Sequence, residues 1–190
     1  KTAADCVGKK IGVPGLGAFL HVTFRAWLKG KGVDYKKVNF VEAAFPQHGD
    51  LLRGGSIDAV VTADPFMSRI LETGMGYVAS YYSTFLPDGQ PTVIYTARRD
   101  WVEANPGAVK AFREAVVEAA AFIRNPKNDA AVRAAIGKYI KLPPEVLAKI
   151  QISPPGPVVT QAQMEYWVGL MRDQEMLKTQ PQVARLIAKP

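Results

Sequence analysis

The first ninety residues alternate between short apolar runs and segments with helical spacing. The runs at 9–14, 37–41, 57–61 and 77–82 have the length and the β-branched or aromatic content of strands. The segments at 18–29, 46–52 and 66–72 have helical character, and glycines close most of them. A strand–helix alternation of this kind predicts a parallel sheet with right-handed crossovers. We therefore expect an α/β fold, with one complete lobe over residues 7–91.

The second half of the chain has a different pattern. One strand is predicted at 92–97, and helices are predicted at 108–124, 129–140, 144–150, 161–177 and 181–188. The proline-rich stretch at 153–157 is predicted to be a loop. One strand cannot form a sheet. Residues 92–190 are therefore expected either to pack on the first lobe or to belong to a second lobe whose sheet lies elsewhere.

Composition and charge exclude several classes of protein. The net charge is +7, but the basic residues are dispersed, with no run of five and no zinc-ligand spacing, so nucleic-acid binding is not indicated. Cys6 is the only cysteine, which excludes an internal disulfide. The two histidines are far apart in sequence, so we expect no metal site. No apolar run reaches the roughly 18 residues needed to span a membrane.

The stretch from Gly54 to Phe66 carries the clearest chemical signal. The buried strand at 57–61 is followed by Thr62 and by Asp64-Pro65, which suits the start of a helix capped by Asp64. In open α/β sheets, ligands bind at the carboxyl ends of the strands. Asp64 is thus a candidate for pairing with a cationic group of a ligand, with Thr62 beside it. The alternative is that Asp64 is only a helix cap.

A second candidate site is the glycine bend that follows the first strand. Gly15 and Gly17 precede a helix, and the N–H groups of Gly17, Ala18 and Phe19 could hold an anion at its N-terminus. The alternative is a tight strand-to-helix turn. The bend is no dinucleotide fingerprint, because Leu20 stands where the third glycine would be, and no cofactor is expected.

The two histidines are interpreted differently. His21 lies one turn into the first helix, beside the predicted anion site, where it could serve a ligand or simply belong to the core or the surface. His48 is expected to be an exposed loop residue.

Three motifs in order resemble the substrate-binding proteins of ABC importers for nitrate, sulfonates, taurine and thiamine precursors. The first is Gly8 to Pro14 with the glycine bend after it. The second runs from Leu51 through Asp58-Ala59 to Asp64-Pro65-Phe66. The third is Arg98 to Trp101, followed by Asn105-Pro106 and a long alanine-rich helix. Together they cover about half of the chain.

This resemblance implies a type II periplasmic-binding-protein fold, with a small-molecule ligand held in the cleft between two lobes. It implies a periplasmic protein that performs no catalysis, needs no cofactor and meets the membrane only through a permease. It also implies that a first-lobe segment and a leader would precede Lys1, so that residues 92–190 complete a lobe whose beginning is absent.

The sequence departs from the family pattern at two places in the implied site. Many members have Ser or Thr after the glycine that opens the first helix, whereas this chain has Ala18 and Phe19. Many have Trp before the acid-proline pair, whereas this chain has Ala63. With Phe19 and Phe66 at its sides, the implied pocket suits an aromatic or weakly anionic organic solute better than nitrate or a sulfonate.

Two other functions on related scaffolds stay open at this point. One is an enzyme resembling the thiamine-pyrimidine synthases, although those use a cysteine-rich segment and this chain has only Cys6. The other is an effector domain resembling those of LysR-type regulators, which would need an upstream helix-turn-helix.

Overall fold

The chain forms two compact units in a computed structural model that describes residues 2–140, 143–152, 155–156 and 158–188. The first unit contains residues 1–88 and 169–179, and the second contains residues 89–168 and 180–190. The sequence pattern predicts that residues 169–179 belong with the second half of the chain. In the structure this segment packs with the first unit instead.

A parallel three-stranded sheet forms the centre of the first unit. Its strands are β1 (Lys10–Val13), β2 (Asn39–Glu42) and β3 (Ala59–Val60), in the order β2-β1-β3. Lys10 pairs with Asn39 on one side, and Gly12 pairs with Val60 on the other. The predicted α/β class with a parallel sheet is therefore confirmed.

Three helices follow the three strands in turn. They are α1 (Phe19–Gly30), α2 (His48–Arg53) and α3 (Phe66–Glu72), with 3-10 turns at residues 3–6, 35–37, 45–47 and 82–85. The predicted strand at 77–82 is wrong. Tyr77 and Tyr81 are exposed, and the Tyr82 ring packs edge-on against the core residue Phe24, with 5.3 Å between ring centroids. The aromatic content that suggested a strand serves packing and surface positions here.

The core of the first unit lies between the sheet and α1. Its most deeply buried members are Ile11, Val13 and Leu28, each 2% exposed or less. The other buried residues of the same cluster are Ala3, Phe24, Val33, Tyr35, Val38 and Val61. Gly12 allows close packing at the central strand, because a Cβ there would lie 2.8 Å from the Ile57 Cδ1 atom. The apolar residues that recur at helical spacing over 20–28 therefore lie on the face of α1 that the sheet covers.

Residues 169–179 are held against α1 by two hydrogen bonds, one buried and one partly buried. The Gln174 side chain is 2% exposed, and its Nε2 donates to the Val22 carbonyl at 2.8 Å. Arg25 donates to the Gln174 carbonyl at 3.2 Å, and its guanidinium lies 4.0 Å from the centroid of the Tyr35 ring. These contacts explain why a segment so distant in sequence belongs to the first unit.

The second unit is helical over the residues that the structure describes. Its helices are α4 (Arg99–Ala104), α5 (Pro106–Arg124), α6 (Asp129–Tyr139) and α7 (Pro144–Lys149), together with the first part of α8 (Gln161–Asp173). A 3-10 turn at 126–128 joins α5 to α6. No described helix is both long and apolar enough to cross a membrane.

Three predictions in the second half need correction. Residues 92–97 form no strand, and Val93 and Tyr95 are 87% and 78% exposed, because no neighbouring strand pairs with them among the described residues. The predicted helix at 161–177 ends at Asp173, since Glu175 takes a left-handed φ of 58°. The predicted helix at 181–188 is a single 3-10 turn at 183–185. Part of the predicted loop at 153–157 lies outside the described residues.

Candidate functional site

The three strands of the first unit deliver their loops to one edge of the sheet. We call this region, residues 14–18, 43–48 and 61–66, the carboxyl edge. Two hydrogen bonds fix it beyond the strands: the Ala43 N–H donates to the Val13 carbonyl at 2.9 Å, and the Val61 N–H donates to the Gly12 carbonyl at 2.8 Å. Because the strands are parallel, the glycine bend and the acid-proline bend start from the same edge.

The glycine bend between β1 and α1 uses its amide hydrogens within the chain. The Leu16 N–H donates to the Glu42 Oε2 atom at 2.9 Å, and the Gly17 N–H donates to the His21 Nδ1 atom at 2.8 Å. The Ala18 N–H donates to the Gly15 carbonyl at 3.2 Å. Gly17 adopts φ +82°, which explains the requirement for glycine there. The anion-binding role expected of the Gly17, Ala18 and Phe19 amides stays a prediction, and it would require Gly17 and Ala18 to exchange these partners.

His21 is a buried member of the glycine bend. Its side chain is 6% exposed, and its ring meets Phe40 edge-on at a centroid distance of 4.5 Å. Burial, assisted by the positive charge of Arg25, lowers the pKa of His21 from 6.5 to about 4. Because Nδ1 accepts the Gly17 hydrogen, the neutral ring carries its own hydrogen on Nε2, which has no hydrogen-bond partner among the described residues.

The acid-proline bend opens α3 much as the sequence predicts. The Asp64 Oδ1 atom accepts from the Ser68 N–H at 3.1 Å and from the Ser68 hydroxyl at 2.7 Å. Pro65 occupies the cap position itself, and the Asp64-Pro65 peptide bond is cis. Asp64 therefore accepts from a free N–H of the first turn of α3, as a cap would, but it lies one residue before the N-cap position that the sequence predicts for it. Asp64 is exposed, and its cap uses one of the two carboxylate oxygens.

The prediction that His48 is an exposed loop residue is wrong. Its side chain is fully buried, at 0% exposure, between the loops that follow β2 and β3. The ring nitrogens Nε2 and Nδ1 lie 2.8 Å from the Ala43 carbonyl oxygen and 3.1 Å from the Thr62 Oγ1 atom. Burial lowers the pKa of His48. Satisfying both ring nitrogens by contacts inside the protein explains why this polar ring can be buried.

Two aromatic rings stand beside these polar groups. Phe66, the first residue of α3, stacks on Phe45 with 5.2 Å between ring centroids and 14° between ring planes. Both side chains are half-buried, and the His48 ring lies 5.4 Å from Phe45. The carboxyl edge therefore combines a flat apolar surface with fixed polar groups, as small-molecule sites commonly do.

The structure brings all eight predicted site residues to this edge or to the helices that start from it. Gly15, Gly17 and Ala18 form the glycine bend, and Thr62 and Asp64 belong to the loop after β3. Phe19 and His21 lie in the first turn of α1, and Phe66 begins α3. Whether they contact a ligand stays a prediction.

Sequence reasoning missed three residues that shape the edge: Glu42, Phe45 and His48. They follow the carboxyl end of β2 or form that end. The rule that ligands bind at the carboxyl ends of parallel strands could have found them, because β2 ends at the same edge as β1 and β3.

The described residues contain no group of three or more His, Cys, Asp or Glu side chains placed to hold a metal ion.

The fold is that of the periplasmic binding proteins. The periplasmic aliphatic sulphonate binding protein SsuA of Escherichia coli superposes on 99% of this chain with a TM-score of 0.76 and 20% identity, and the match covers 65% of the SsuA chain. At this identity the likeness shows the fold alone.

The profile of the NMT1-like family matches residues 1–137, and the chain belongs to this family. The nitrate/nitrite binding protein NrtA of Nostoc sp. is 27% identical over 120 residues, which is 63% of this chain and 27% of NrtA. The bicarbonate-binding protein CmpA of Synechococcus elongatus is 30% identical over 96 residues, which is 50% of this chain and 21% of CmpA. The chain thus spans about a quarter of the length of these curated relatives. The family resemblance drawn from the sequence motifs is confirmed.

Proposed function

We propose that this chain is part of an extracytoplasmic solute-binding component of an ABC importer. It binds a small organic solute without chemistry of its own and hands it to a membrane permease. Membership of the NMT1-like family supports this function, and so do relatives named as nitrate/nitrite-, bicarbonate- and sulphonate-binding proteins. The identity of the solute is not taken over from those relatives, because the chain matches only part of each.

One observation carries the proposal: two bends of different chemistry leave neighbouring parallel strands at the same edge, next to a stacked aromatic pair. We propose that this edge forms one wall of the solute site. Gly15, Gly17 and Ala18 shape its first bend, Phe19 and His21 support that bend, and Thr62 and Asp64 orient the solute. Phe66 provides the apolar surface.

Isothermal titration calorimetry against sulfonates, aromatic acids and pyrimidines tests the proposal. Saturable binding of one solute, with an affinity that Asp64→Ala or Phe66→Ala reduces, would support the proposal. Asp88→Ala is the matched control, because Asp88 is an exposed acid of the same unit outside the carboxyl edge. Absence of binding at millimolar concentration across all three solute classes would contradict the proposal.

The location and the permease partner need a separate experiment. The complete gene product is expected in the periplasmic or cell-surface fraction of its native cells. Chemical crosslinking there should recover a membrane permease in a solute-dependent manner. Recovery of the protein only from the cytoplasmic fraction would contradict this part of the proposal.

A further inference from the structure

The hydrogen-bond polarity of the carboxyl edge restricts the chemistry of the solute. The Ala43 carbonyl can only accept a hydrogen bond, so the His48 Nε2 atom, 2.8 Å away, must carry a hydrogen. In the neutral ring, Nδ1 is then an acceptor. The Thr62 hydroxyl therefore donates its only hydrogen to Nδ1, across 3.1 Å. A fully buried ring thus fixes the direction of the Thr62 hydroxyl.

Thr62 keeps only lone pairs for any further partner. Two residues along the same loop, Asp64 is an exposed carboxylate, and the cap of α3 occupies only its Oδ1 atom. A carboxylate also accepts hydrogen bonds and does not donate them. The two polar side chains that the loop after β3 presents are therefore both acceptors.

In the neighbouring bend, three amide hydrogens already have partners within the chain, and the His21 Nε2 hydrogen, which has no partner among the described residues, belongs to a buried atom. The hydrogens of Leu16, Gly17 and Ala18 are bonded to Glu42, His21 and Gly15 in turn. A solute oxyanion placed here would face lone pairs at Thr62 and Asp64 and would have to displace these internal bonds, at a cost in free energy. A solute that donates hydrogens would meet acceptors without any rearrangement.

Building on the proposed function, we infer that the carboxyl edge recognises a hydrogen-bond-donating or cationic nitrogen group on a planar solute, and that Thr62 and Asp64 determine this specificity. The stacked rings of Phe45 and Phe66 provide a flat surface beside these acceptors. His48 is a positioning residue, since it acts through the Thr62 hydroxyl. This polarity is opposite to that expected for a wall that receives a nitrate, bicarbonate or sulphonate oxyanion.

Paired probes of the same shape and opposite polarity provide the test. Calorimetry on the full chain compares benzamidine with benzoate, and 2-aminopyrimidine with 2-methylpyrimidine. The donor-bearing member of each pair is expected to bind about tenfold more tightly, as the loss of a charge-assisted hydrogen bond would suggest. Asp64→Asn, which turns one acceptor atom into a donor, should reduce benzamidine affinity about tenfold, while Asp88→Asn should leave it unchanged.

Thr62→Val and Thr62→Ser separate the hydroxyl from the shape of the side chain. Serine should retain the preference for the donor-bearing probes, and valine should lose it. Where the valine variant does not fold, the Asp64→Asn result decides the point. Tighter binding of benzoate and 2-methylpyrimidine, or unchanged affinities in Asp64→Asn, would overturn the inference and leave the solute-binding function intact. Absence of binding by all four probes and by the wider solute panel would overturn both.

Discussion

The buried imidazole of His21 makes the first unit sensitive to acid. The folded chain keeps this ring neutral, with a pKa of about 4, whereas an unfolded chain binds a proton with a pKa near 6.5. Below pH 6.5 the unfolded chain therefore binds a proton at His21, whereas the folded chain does not bind one until the pH is near 4. The stabilisation is complete above pH 6.5 and is lost progressively as the pH falls through 4.

The size of this effect follows from the two pKa values. At 1.36 kcal/mol per pH unit, the drop from 6.5 to about 4 corresponds to a loss of about 3 kcal/mol. This is a large share of the roughly 5–15 kcal/mol that stabilises an ordinary domain. We expect acid to loosen the glycine bend, because the His21 Nδ1 atom must release the Gly17 N–H in order to bind a proton.

Urea unfolding between pH 7 and pH 4 measures the loss. In a background with Trp101→Phe and Trp167→Phe, fluorescence reports on Trp27, which stacks on the core residue Phe24 of the first unit at 5.4 Å. His21→Asn is the control, because an amide oxygen can accept the Gly17 hydrogen and does not titrate. His48 titrates equally in both chains, so its contribution cancels in the difference.

The parent chain should lose about 3 kcal/mol more than His21→Asn across this pH range. The sequence contains only two histidines, so the imidazole signals in an NMR titration can be assigned with the same variant. Two results would refute the reasoning. One is a difference in free energy of unfolding between the parent chain and His21→Asn that does not change with pH. The other is a His21 signal that titrates near pH 6.5.

Three further substitutions test the packing of the first unit. His48→Ala removes both hydrogen bonds of a fully buried ring and leaves a cavity, so it should cost about 4 kcal/mol in urea unfolding. An unchanged free energy of unfolding would mean that the ring does not join the two loops. In thermal denaturation, Gly17→Ala should cost about 1–2 kcal/mol, because Gly17 has a positive φ. Gly30→Ala is the control at the end of α1, where no atom lies within 4 Å of the added Cβ, and it should be neutral or stabilising. Gln174→Ala should cost about 1–3 kcal/mol and make residues 169–179 accessible to protease, because it removes a buried hydrogen bond. Gln161→Ala, at an exposed position, is the control. Equal proteolysis rates in the two variants would mean that Gln174 does not hold this segment against α1.

The elements with local signals could be predicted from the sequence. The helix predicted at 66–72 begins and ends at those residues, because Asp64-Pro65 and Gly74 mark its ends in any context. The parallel sheet follows from the alternation of strands and helices, since a crossover of helix length forces strands to run in the same direction.

The elements that depend on partners could not be predicted. The stretches at 77–82 and 92–97 have the composition of strands, but no neighbouring strand pairs with them in the described part of the chain. The burial of His48 depends on the Ala43 carbonyl and the Thr62 hydroxyl, whose positions are set by two other strands. A period of two or 3.6 residues contains no information about such long-range pairings.

The late position of residues 169–179 has a consequence for biosynthesis. The ribosome releases the sheet and α1 long before it reaches Gln174, so in the nascent chain the Val22 carbonyl and Arg25 await partners that do not yet exist. At about 5–20 residues per second, the interval from residue 88 to residue 179 is on the order of ten seconds. A chaperone could bind this side of α1 during that interval, before residues 169–179 cover it.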